Sequence, residues 1–269
     1  MSRKRVVVAV WKEKLTLSQS LSVAESVLSS TKDDGWPFDI ALAPNPFSYA
    51  SVANVVKSSH IRMCSQNVLW NPESGSYFGE TTSEMLREIG CDYVIVGHSE
   101  RRLHFNEPND MVARRALAAI GAGMIPILCI GETAEQMDAG QSKTVLEAQL
   151  RAFFDVVPDD VLATDFMVAY EPVWAISTWR STRPLPNPQE VQELHQFVRD
   201  ITSEMKGKEF AGRFSLLYGG SVAPDNAESY MSQEDVDGAL VGGASTTAES
   251  FVEMLQAART GFQSHDSAK

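Results

Sequence analysis

The sequence predicts an α/β protein built as a single (β/α)8 barrel, and three observations carry that prediction. Short apolar, β-branched runs recur along the chain, longer segments with helical period lie between them, and the alternation never gives way to a strand-only or helix-only block. Eight such runs fall within 269 residues. Eight β-then-α units close a barrel of about 250 residues, so the whole span 1–269 reads as one domain with short N- and C-terminal tails. An open doubly wound sheet is the competing arrangement.

The first strand is Val6 to Trp11. It follows a basic head, Arg3-Lys4-Arg5, as a leader peptide would, but Lys12, Glu13 and Lys14 cut the apolar run short and no small-residue cleavage site comes after them. The remaining strands are expected at Ile40 to Ala43, Ile61 to Ser65, Tyr93 to Val96, Ile125 to Ile130, Phe166 to Tyr170, Ser215 to Tyr218 and Ala239 to Val241. Their near-continuous Val/Ile/Leu content suits strands covered on both faces, as in a parallel sheet with helical crossovers. Helical period marks Ser18 to Ser30, Met111 to Ile120, Thr144 to Phe154, Glu190 to Met205 and Ala248 to Arg259.

Composition bounds the function. A hydrophobic share of 43% and a charged share of 22% exclude wholesale disorder. No stretch approaches the roughly 18 apolar residues of a membrane span. A formal charge of −12 argues against nucleic-acid and anionic-membrane partners, so an anionic substrate would need a locally positive pocket. Cys64, Cys91 and Cys129 lie far apart with no metal-ligand spacing, which reads as reduced, buried thiols of a cytoplasmic protein.

In such a barrel, polar groups just after a strand are functional candidates. Lys12 follows strand one, Gly97-His98-Ser99-Glu100-Arg101-Arg102 strand four, and Glu171-Pro172-Val173-Trp174 strand six. Gly219-Gly220-Ser221 follows strand seven and Gly242-Gly243-Ala244-Ser245 strand eight. Two glycine-rich turns after adjacent strands suit a phosphate, because bare backbone N–H groups can face it; taken singly, each turn is explained by tight βα geometry. Lys12 would supply positive charge at the rim, or stand there simply solvated. His98 precedes what looks like the opening of a short helix, where the dipole disfavours a charged ring and leaves a neutral hydrogen-bond donor; a structural histidine is the alternative. Glu171 sits among apolar and aromatic neighbours that would desolvate it and increase its basicity, unless it is paired with an arginine. Together these groups suit proton abstraction next to a carbonyl, with the enediolate stabilised by Lys12 and His98. Neither a metal nor a cofactor is needed.

The runs Trp11-Lys12, Gly97 to Arg102, Cys129-Ile130-Gly131-Glu132, Ala169 to Ile176, Tyr218 to Val222 and Leu240 to Ser245 resemble the triosephosphate isomerase family, from about Arg5 to Arg259. The resemblance implies a TIM barrel that interconverts dihydroxyacetone phosphate and glyceraldehyde 3-phosphate in glycolysis and gluconeogenesis. By the same resemblance Glu171 is the base, His98 the electrophile, Lys12 the charge stabiliser and Glu100 the partner of Lys12. Ser177, Ser221, Leu240, Gly242 and Gly243 would hold the phosphate under a closing lid. A homodimer is also implied, whose third loop completes the partner's site.

Three departures stand beside this match. Val10 occupies the place of an asparagine that helps bind the reacting oxygens, and Phe78 that of a threonine which meets this asparagine across the dimer. We expect Val10 and Phe78 to pack together across the interface. The lid reads Ile176-Ser177-Thr178-Trp179-Arg180 in place of a glycine-containing motif, and the proline-bearing run Arg183 to Pro188 lengthens the segment leading to the next helix. Arg180 or Arg183 could reach an anion. These changes leave room for another short ketose phosphate, such as a tetrulose phosphate, and for a catalytically weak relative that only binds phosphate or a partner.

Overall fold

The computed structural model describes residues 3–32, 35–71, 76–158, 161, 166–176 and 183–267. Eight parallel strands, β1 (Val6–Val10), β2 (Asp39–Ala43), β3 (Ile61–Ser65), β4 (Cys91–Val96), β5 (Ile125–Ile130), β6 (Met167–Tyr170), β7 (Ser215–Tyr218) and β8 (Gly238–Val241), run in chain order around a closed barrel. The closing pair is in register from Val6↔Gly238 to Ala9↔Val241, which excludes the open sheet.

Two apolar cores follow from the two-residue period of the strands. Val6, Val8 and Val10 of β1 join Tyr93, Ile127, Met167 and Leu217 inside the barrel, while Val7 and Ala9 join the layer between strands and helices. Small residues such as Ala41, Ala43 and Ala169 share the interior with these larger ones, so the barrel is filled rather than hollow. Tyr93 reaches the floor, where its hydroxyl donates to Asp39 Oδ2 at 2.5 Å.

The helices are α1 (Leu17–Ser30), α2 (Tyr49–Val56), α3 (Ser83–Glu88), α4 (Ser99–His104), α5 (Asn109–Gly121), α6 (Ala134–Asp138), α7 (Ser142–Val156), α8 (Pro188–Lys206), α9 (Lys208–Ala211), α10 (Ala227–Met231) and α11 (Ala248–Ser267). The five long ones match the periodic stretches of the sequence. Most of the rest are too short for a 3.6-residue period to stand out, and α2 is apolar on most sides. Capping boxes start α1, α6 and α8, the last through Asn187 and Glu190 with Pro188 in the first turn. Pro188 therefore begins the helix that ends the lengthened segment.

The expected C-terminal tail is helical. α11 continues to Ser267, because Gly261 permits close packing against α10: a Cβ there would lie 2.5 Å from the carbonyl oxygen of Glu228. Beyond it, Phe262 is buried against Phe38, and Arg5 stacks on its ring and pairs with Asp266 at 2.7 Å. All three cysteines are free and buried, and burial pushes each thiol up, that of Cys91 to about 11. Among the described residues no helix is long and apolar enough to cross a membrane, and no group of three His, Cys, Asp or Glu side chains could hold a metal ion.

Candidate active site

At the end of β1 the chain turns sharply. Trp11 is fully buried and its indole N–H donates to the carbonyl of Ser245 at 2.9 Å. Lys12 follows with φ +50°, a left-handed conformation that costs a non-glycine residue on the order of 1 kcal/mol. Gln66, just after β3, holds that turn by donating to the carbonyls of both Lys12 and Ala43 at 3.1 Å. The Lys12 ammonium ends 2.6 Å from Glu100 Oε1.

His98 is the N-cap of α4. Its Nδ1 accepts the Glu100 backbone N–H at 3.2 Å, so the proton of the neutral ring sits on Nε2. That nitrogen faces Glu171 Oε1 at 3.3 Å. Glu171 is only 3% exposed, and its Oε2 accepts the Ser99 N–H at 3.5 Å. Glu171 lies just beyond β6, with its own N–H donating to Ile130 O at 2.7 Å. Two glycines give it space. A Cβ on Gly131 would fall 1.8 Å from the Glu171 carbonyl oxygen, and one on Gly219 would fall 2.4 Å from Glu171 Cγ.

Lys12, His98, Glu171, Ser221, Leu240, Gly242 and Gly243 line one cavity of about 360 Å³, a small-molecule volume. The Ser221 hydroxyl donates to Ala175 O at 2.6 Å, and Asn226 supports the turn by donating to Ser221 O at 3.1 Å. Glu100 touches this group through Lys12 but lines a second cavity, of about 370 Å³, which shares Val10, Lys12 and His98 with the first. Gly79, Glu80 and Thr81 border the second cavity, and Phe78 beside them is completely exposed. Ser177, Thr178, Trp179 and Arg180 lie outside the described residues. Arg183 is engaged by Asp138 of α6, at 2.7 and 2.5 Å.

Some residues that shape the site carried no assigned role in the sequence reading. Gln66 is one and Gly219 as a spacer for the carboxylate is another. Glu132 is a third: its Oε1 accepts the Trp174 indole N–H at 2.9 Å and the Tyr170 hydroxyl at 3.1 Å, fixing the start of the lid. Burial raises its carboxyl above the usual range, against the pull of those hydrogen bonds. Gln66 and Glu132 both follow strands closely, so the rule that singled out Lys12 also reaches them.

A family model described as triosephosphate isomerase matches residues 5–258. The triosephosphate isomerase of Chloroherpeton thalassium is 38% identical over 257 residues, covering 95% of this chain and 99% of that protein. That of Geotalea uraniireducens is 37% identical over 254 residues, with 94% and 98% covered. The Rhodopirellula baltica enzyme is 34% identical over 258 residues, with 96% and 99% covered.

Proposed function

Because this chain belongs to the triosephosphate isomerase family, and so is an aldose–ketose isomerase, we propose that the cavity at the barrel mouth interconverts dihydroxyacetone phosphate and glyceraldehyde 3-phosphate. The observation that carries the assignment of roles is the convergence of Lys12, His98, Glu171 and both glycine-rich turns on one cavity. Glu171 removes the proton next to the substrate carbonyl. The Nε2–H of His98 donates to the carbonyl oxygen as negative charge develops there, and the Lys12 ammonium, positioned by Glu100, stabilises the same charge. Backbone N–H groups near Ser221, Gly242 and Gly243, beside Leu240, hold the phosphate, with Ser177 contributing from the lid.

Val10 supports a second substrate reading. It lines both cavities and puts methyl groups where the family usually places an amide. A ketose phosphate longer by one carbon would extend past Val10 toward the second cavity.

We also propose a cytoplasmic homodimer. Phe47 and Phe78, exposed by 83% and 107%, stand near the second cavity as apolar surface suited to a partner, with Val10 and Phe78 packing across the interface. The three buried free thiols suit a reducing compartment.

Isomerisation and solvent-deuterium incorporation across three- and four-carbon ketose phosphates test this reading. Turnover of the triose with deuterium in the product is expected. Phosphate binding without turnover of any substrate would replace the enzyme reading with that of a binding relative.

A further inference from the structure

One cation beside the Gly243 turn has no role in the proposed isomerisation. The charge of Lys12 is shared with Glu100 at 2.6 Å, in a chain whose formal charge is −12. Lys14 is exposed, and its Nζ lies 3.9 Å from the point a Cβ on Gly243 would occupy. Gly243 itself lines the cavity, so the ammonium stands beside the turn to which the proposed function gives the phosphate. The segment bearing Lys14 is fixed on both sides. Its N–H donates to Trp11 O at 3.2 Å, the Trp11 indole is bonded to Ser245 in the same loop as Gly243, and the carbonyl of the next residue, Leu15, accepts from Asn45 at 2.8 Å.

We propose that Lys14 is a substrate-binding residue that acts as a second cation for the phosphate group, standing just outside the Gly242-Gly243 turn. The proposal rests on the isomerase reading for its substrate. A phosphate keeps its charge while the carbon end reacts, so attraction from Lys14 is equal in the ground state and the transition state. It therefore acts on KM and not on kcat. The ammonium is solvent-exposed and stands outside the turn, which sets its effect at about three- to tenfold. Asp225 lines the same cavity, so loss of Lys14 also leaves it more repulsive to an anion.

The test uses the full-length chain with Lys14→Met, Lys14→Gln as a second neutral variant, and Lys14→Arg. Calorimetry measures the Kd of inorganic phosphate, and steady-state kinetics with dihydroxyacetone phosphate are recorded at low and high salt. The neutral variants should raise both the phosphate Kd and KM about three- to tenfold, leave kcat within about twofold, and weaken the salt dependence of kcat/KM, with Lys14→Arg restoring all of these. Unchanged phosphate binding in both neutral variants overturns the proposal, as does a loss confined to kcat. Absence of turnover in the unmodified protein would sink the isomerase reading instead, and the calorimetric comparison would still decide the role of Lys14.

Discussion

His98 Nε2 and Glu171 Oε1 stand 3.3 Å apart, and the other nitrogen of the same ring is already committed to the Glu100 backbone N–H. The imidazole is thus held in the tautomer that donates toward the carboxylate side of the cavity. In nitrogen-15 spectra of histidine-labelled protein, the neutral ring should carry its proton on Nε2 and not on Nδ1. The opposite tautomer would remove His98 from its role as donor to the carbonyl oxygen.

Withdrawing the carboxylate by one methylene should affect chemistry more than binding. Glu171→Asp is expected to lower kcat about 100-fold while KM changes by less than about threefold, because misplacement of a base by roughly 1 Å costs that much. Steady-state kinetics decide it: equal losses in kcat and in affinity would count against Glu171 as the base.

A methyl group at position 219 would collide with Glu171 Cγ at 2.4 Å. Gly219→Ala should therefore displace the carboxylate and cut kcat at least tenfold, with near-native far-ultraviolet circular dichroism. A variant of full activity would mean that the side chain relocates without consequence.

How much of this arrangement was legible in the sequence depended on what local pattern can encode. The strands were legible because burial on both faces writes them as continuous runs, and Lys12, His98 and Glu171 because each follows such a run. Gln66 was missed because its contribution is to the carbonyls of Lys12 and Ala43, far away in sequence. Gly219 drew attention as a phosphate turn, while its second use depends on where Glu171 lies in space. The helical end of α11 was hidden by Gly261, which reads as a terminator until its packing on α10 is seen.

His195 predicts an acid limb of stability. Burial takes its imidazole from 6.5 down to about 4, and its Nδ1 donates to Asp235 O at 2.9 Å. The folded protein thus favours the neutral ring, while the unfolded chain takes up a proton as pH falls below 6.5. The contribution is fully present above pH 6.5 and is lost progressively between 6.5 and 4, by about 3 kcal/mol in total. Asp237, raised by burial, acts in the opposite sense, so comparison with His195→Gln isolates the histidine. Urea unfolding across that range should show a shallower pH dependence in the variant.

Phe78 should matter for assembly. Phe78→Arg is expected to convert a dimer to a monomer in analytical ultracentrifugation at micromolar concentration, with the fold retained. A monomeric unmodified protein would remove the proposed interface altogether.

The hydrogen bond from Trp11 to Ser245 crosses the junction where the last strand meets the first. The lysine-bearing turn comes from one end of the chain and the Gly242-Gly243 turn from the other, so the proposed anion pocket is incomplete until β8 docks. A chain still emerging from the ribosome, or one cut before Gly238, would hold Glu171, His98 and the Ser221 turn yet lack the Gly242-Gly243 half of the proposed phosphate grip. Affinity for inorganic phosphate should accordingly appear during refolding in the same kinetic phase as barrel closure.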